Sequence, residues 1–206
     1  MLLDADDAQL VLVDYQVRLM PVIFENQLVI ANAVRLAQMA KIMQVPVWAS
    51  VQTPDKLGYN VPELDAAIKA AGGSTLEKMY FSAADDLIDL LRPPVRKAPM
   101  GGNARSLPKH MQKPAEPEEE GRSTIIIAGC EAHVCLMQTA LELLEQEFDV
   151  WVVTDACSSR SERNRDAAFD RLAGNGAELV TTEMVAFEWL RSAEHPAFKE
   201  VHKLIK

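Results

Sequence analysis

The first apolar run in the chain, residues 9–13 (QLVLV), follows an acidic lead-in and shows no polar alternation. A continuous run of that length is the pattern of a strand buried on both faces of a parallel sheet. Asp14 stands just beyond its end. Across residues 28–44, Val29, Ala33, Leu36, Ala40 and Met43 recur at steps of four and three, which predicts a helix with one apolar stripe. Residues 45–51 (VPVWASV) predict a second strand, with Pro46 at its start, where a missing N–H is tolerated.

Residues 52–73 are punctuated by proline and glycine and predict a loop with room for one helical turn. A short strand is expected at 75–79, carrying Lys78, and a helix through Leu91, with Ser82 as its cap and Asp85 and Asp86 in its first turn. The β-branched run 124–128 (TIIIA) predicts the best-defined buried strand, after which Cys135 opens an amphipathic helical stretch. Residues 150–154 read as another strand, and Ser159 with Glu162 as the capping box of a helix ending before Gly174. A last strand at 177–180, a helix at 184–191 and a terminal helix after Pro196 complete the pattern.

Strands alternating with helices predict a three-layer α/β/α sandwich around a mainly parallel sheet, because each crossover lays its helix on a face of the sheet. Residues 92–122 combine proline, glycine and an acidic run with few large apolar side chains, and read as a surface insertion in a single domain spanning 1–206. Ligands of such sheets bind at the carboxyl ends of the strands. Asp14, the turn from Gly129 to Cys135, and Asp155 all fall there.

Composition narrows the functional classes. Lys+Arg 21 against Asp+Glu 30 gives a net charge of -9, which repels nucleic-acid backbones and anionic membranes. The acidic start and short apolar runs argue against a leader or membrane span, so a cytoplasmic protein is expected. Cys130, Cys135 and Cys157 are an odd number of cysteines, pointing to reduced thiols and not to a disulfide framework.

A thiol attacks as thiolate, and a helix start with a nearby lysine would favour that anion at Cys135. A carboxylate such as Asp14 could take the proton and return it to a leaving amine, while the amides of the turn receive the oxyanion. Taken singly, each residue has a plainer role: Cys135 in packing, Asp14 as a cap, Lys78 as a solvated charge.

The segments LVLVDYQ, EKMYFS, AGCEAHVCLMQTALELLEQ and VVTDACSSRS resemble, in this order, the isochorismatase-like cysteine hydrolase superfamily. KLGYNVPEL, DACSSRSERNRD and HPAFKEVHKLIK are similar to its isochorismatase domain-containing proteins, the second of that group in particular. The resemblance implies Asp14, Lys78 and Cys135 as reacting trio, with the N–H groups of Glu131 and Cys135 as oxyanion hole and a cis peptide between Cys130 and Glu131. It implies no cofactor and no catalytic metal, since the loop VQTPDKLGYN lacks the histidines of the family's metal-using members, and His110, His133, His195 and His202 show no ligand spacing. With the cysteine retained, C–N bond hydrolysis of a small molecule is the expected reaction.

Gln16, Trp48, Gln52, Tyr80, Phe81 and His133 flank the trio or leave strand ends, and are the candidate substrate-binding residues. Trp48 and Phe81 have core packing as their alternative. The resemblance also implies a homo-oligomer, with 195–206 as a candidate contact face. Two competing readings stand: a catalytically silent oligomeric scaffold on the same fold, and redox work by Cys130 and Cys135, whose spacing is not that of a C-x-x-C site.

Overall fold

The computed structural model describes residues 1–93 and 121–206. All of the expected insertion except its ends therefore lies outside the described residues. Six parallel strands, β1 (Ala8–Val13), β2 (Val47–Gln52), β3 (Ser74–Lys78), β4 (Thr124–Gly129), β5 (Asp149–Val153) and β6 (Glu178–Val180), form one sheet in the order β3-β2-β1-β4-β5-β6. The two central strands, β1 and β4, are buried at every position, which is why their sequences run apolar without alternation.

Helix α1 (Asn26–Met43) packs with α3 (Pro62–Ala70), α7 (Thr182–Leu190) and α8 (Phe198–Leu204) as one layer. On the other side lie α4 (Ala84–Leu91), α5 (Met137–Glu145) and α6 (Glu162–Gly174); a single turn, α2 (Pro54–Leu57), precedes α3. The chain leaves β1 toward β2 on one side of the sheet and returns to β4 on the other. The crevice between β1 and β4 is thus the topological switch point, the place where such sheets bind ligands.

Four details depart from the sequence pattern. The segment read as a loop contains α3, where Pro62 starts the helix and does not break it, and Leu64, Ala67 and Ile68 make the buried stripe. The cap of α6 is Ser161, which accepts the Asn164 N–H, while Ser159 turns its hydroxyl to His133. At α4 the N-cap is Ala83, although the Ser82 hydroxyl still accepts the Ala84 N–H at 3.1 Å. Cys135 lies inside a π-helical turn, Ala132–Leu136, that precedes α5. The apolar side of α8 packs inward, with Val201 buried and Phe198 and Leu204 against the core, so the 195–206 segment is used within its own chain.

No helix among the described residues is long and apolar enough to cross a membrane.

Candidate active site

The ends of β1, β2, β3 and the turn after β4 bring their polar side chains together. Asp14 follows β1 in the left-handed region, φ 56, a conformation that aspartate tolerates better than most side chains. Its N–H donates to the Ser50 carbonyl at 3.1 Å. β2 and β3 are registered so that Gln52 faces Lys78, and the two-residue period puts Ser50 on the same face as Gln52. Gly129 closes β4 against β1: a Cβ there would stand 2.5 Å from the Val13 carbonyl oxygen and 2.6 Å from the Val13 Cβ.

Asp14, Lys78 and Cys135 are 1%, 3% and 5% exposed. Lys78 Nζ lies 2.7 Å from Asp14 Oδ2 and also donates to the carbonyls of Tyr80 at 3.2 Å and Phe81 at 2.9 Å. An ammonium has three N–H donors, so this lysine is saturated by the protein itself. The other carboxylate oxygen, Oδ1, accepts the Ser50 hydroxyl at 2.9 Å. Cys135 Sγ has Gln52 Oε1 at 3.5 Å as its hydrogen-bond acceptor, and the Asp14 carboxylate and Lys78 ammonium both act on the thiol by charge.

The thiol is not depressed as a helix start beside a lysine would suggest. Burial pushes it well above the ordinary range, Asp14 raises it further, Lys78 opposes, and Glu131 adds a smaller upward push. With SH, carboxylate and ammonium the trio is electrically neutral; moving the thiol proton to Asp14 keeps it neutral, whereas releasing it to solvent does not. The arrangement therefore keeps the proton on sulfur at rest and disfavours its loss to solvent. Cys130, pushed up to about 12, and Cys157, raised well above the ordinary thiol value, are shifted first by burial and sit in the interior.

The peptide between Cys130 and Glu131 is cis. The Glu131 side chain is held by Arg160, whose main-chain N and Nε lie 3.1 and 3.0 Å from Oε2. The Ala132 N–H is taken by the Ser158 carbonyl, while among the described residues the Glu131 N–H has no acceptor.

The remaining candidates divide. Gln52 touches the sulfur. Gln16 is buried and its amide is fully engaged, donating to the carbonyls of Gln52 and Gly58 and accepting the Gln52 N–H, so it fixes Gln52 in place. Tyr80 and Phe81 contribute carbonyls to Lys78, and their side chains point out, 81% and 52% exposed. His133 binds Ser159 Oγ at 2.9 Å through Nδ1 and Asn164 Nδ2 at 3.3 Å through Nε2, so both ring nitrogens brace the start of α6. Trp48 is a correction: it pairs with Val11 and Ser74, bonds Gln9 through Nε1, and sits four residues, about 13 Å of strand, from Gln52.

Ser50 and Thr139 escaped the sequence reading. The Thr139 hydroxyl accepts the Ala83 N–H at 3.0 Å and donates to the Cys135 carbonyl at 2.7 Å, tying the lysine-holding loop to the cysteine turn. Only a polar residue interrupting a buried strand or an apolar helix face could have signalled either. A cavity of about 610 Å³ between α1, α3 and α8, lined by Gln38, Lys41, Glu63 and Leu204 among others, includes none of the strand-end residues. No cluster of three or more His, Cys, Asp or Glu side chains suited to a metal ion occurs among the described residues.

An all-parallel sheet covered by helices on both faces, with Asp14, Lys78 and Cys135 buried near its strand ends, defines a three-layer α/β fold. The chain belongs to the isochorismatase-like family. An isochorismatase domain model matches residues 112–184. Isochorismatase domain-containing protein 2A of Mus musculus is 33% identical over 200 residues, covering 96% of this chain and 82% of that protein. Among solved structures, a protein of Caenorhabditis elegans described as MAR1 ribonuclease is 30% identical with a TM-score of 0.82, covering 100% of this chain and 92% of that one. The YcaC gene product of Escherichia coli, described as an octameric hydrolase of unknown specificity, is 26% identical with a TM-score of 0.76, covering 100% and 95%.

Proposed function

We propose that this protein is a cysteine hydrolase that cleaves a C–N bond of a small amide-type substrate through an acyl-enzyme, with Asp14, Lys78 and Cys135 as its catalytic residues. The observation that carries the reading is the shared burial of sulfur, carboxylate and ammonium, with Lys78 Nζ 2.7 Å from Asp14 and the thiol in the field of both. Cys135 Sγ attacks the carbonyl carbon while its proton passes to Asp14, and the N–H groups of Glu131 and Cys135 receive the oxyanion. Asp14 then protonates the departing nitrogen as the C–N bond breaks, leaving a thioester. Water adds to that thioester, giving a proton to Asp14; the C–S bond breaks, sulfur regains the proton, and a carboxylic acid leaves. Lys78 holds the Asp14 carboxylate and keeps the trio neutral. Gln52, fixed by Gln16, is the substrate contact we assign at the sulfur.

We further propose a homo-oligomer, as in the octameric relative, with the exposed side chains of Met79, Tyr80 and Phe81 beside the site as its contact. The free thiols fit a reducing, cytoplasmic setting. RNA, suggested by the description of the C. elegans relative, fits a chain of net charge -9 poorly. The test is a panel of small carboxamides followed by ammonia release and intact mass. An acyl adduct and ammonia that vanish in Cys135→Ala support the reading; full turnover in that variant contradicts the cysteine mechanism, and none with any amide favours the silent scaffold.

A further inference from the structure

Ser50 grips Asp14 twice. Its carbonyl accepts the Asp14 N–H at 3.1 Å and its hydroxyl donates to Asp14 Oδ1 at 2.9 Å, with Ser50 wholly buried in the middle of the sheet. The first contact is a main-chain bond of the parallel ladder, continuing the pairing of Ser50 with Val13, so only the hydroxyl contact is additional to the strand. A serine inside a buried strand carries a desolvation cost that alanine avoids, so its hydroxyl needs a partner, and that partner is the carboxylate.

The geometry around the carboxylate is then closed on two sides. Lys78 occupies Oδ2 and Ser50 occupies Oδ1, leaving one remaining direction from each oxygen for the thiol proton. A hydroxyl can donate to the carboxylate and accept from the acid, so it stays bonded through both protonation states that the proposed cycle requires. An ammonium cannot do this. We propose that Ser50 is a positioning residue that holds the Asp14 carboxylate in the orientation from which it takes and returns the Cys135 proton. This rests on the hydrolase reading above.

The test measures alkylation of Cys135 by iodoacetamide, in which the S–C bond forms, iodide leaves and the thiol proton passes to Asp14. Because a base that loses its fixed orientation transfers a proton less often from the productive geometry, Ser50→Ala is expected to slow the reaction roughly tenfold. Ser50→Thr, which keeps the hydroxyl, restores the rate to within about twofold, and in an Asp14→Asn background Ser50→Ala changes it by less than about twofold. Thermal melting identifies a variant that has not folded; Ser50→Gly then carries the same expectation. Equal rates for wild type and Ser50→Ala, or an unchanged loss in the Asp14→Asn background, overturn the role of Ser50 while leaving the hydrolase reading intact. Wild-type Cys135 no faster than Cys157 overturns both.

Discussion

The Lys78 ammonium lies 2.7 Å from Asp14 Oδ2 with both side chains sealed from solvent. Breaking one half of such a pair strands the other charge in the interior, which costs about 3–5 kcal/mol, whereas removing both halves costs far less. Lys78→Met should therefore lower stability in urea by about that amount, and Asp14→Asn combined with Lys78→Met should recover part of it. A Lys78→Met loss below about 1 kcal/mol would mean that the pair behaves as a solvated surface contact.

The three thiols give the protein an alkaline limit. Each is raised in the folded chain, burial being the first cause, so the folded state keeps protons that the unfolded chain releases above about pH 8.5. The sign follows: their contribution is fully present below the ordinary thiol value and is lost as pH rises toward the folded values, by up to about 1.4 kcal/mol per pH unit for each thiol. Between about pH 8.5 and 10, below the ordinary tyrosine value, Cys130→Ala with Cys157→Ala should flatten the fall measured by urea unfolding. An unchanged slope would contradict the burial of these groups.

Gly129→Ala should destabilise by about 1–3 kcal/mol, because the added Cβ meets main-chain and side-chain atoms of Val13 that cannot swing aside. The strain falls on the strand end next to Asp14, so alkylation of Cys135 should slow as well. Wild-type stability and rate together would show that β1 and β4 are less tightly apposed.

Thr139→Val removes the hydroxyl between Ala83 N–H and the Cys135 carbonyl and leaves a buried donor without a partner, at a cost of about 1–3 kcal/mol. Faster hydrogen exchange in the segment from Tyr80 to Ala84 is the expected signature. Unaltered protection there would mean that Ser82, bonded to Glu142, suffices to dock the loop.

Much of this architecture was legible because buried parallel strands and amphipathic helices write different periods. The ends of β1, β4 and β5 placed Asp14, the cysteine turn and Asp155 at one edge of the sheet before any contact was known, whereas Lys78 joined them through the family resemblance alone. What the chain could not announce was which atom of each neighbour is used. Tyr80 and Phe81 serve Lys78 through carbonyls, and Gln16 is consumed by main-chain partners. Ser50 hid inside an apolar strand, and α3 hid behind a proline that begins it. The raised Cys135 thiol depends on burial and on Asp14, which are properties of the tertiary arrangement and not of a helix start.

The central claim is that Asp14 and Lys78 activate one sulfur among three. Timed iodoacetamide labelling with peptide mass spectrometry measures it directly, since Cys130 and Cys157 share the burial of Cys135 but lack its arrangement with Asp14 and Lys78. Cys135 should be labelled first at neutral pH, and Asp14→Asn or Lys78→Ala should bring its rate toward those of the other two. Equal, slow labelling of all three thiols in the wild-type protein would contradict the account.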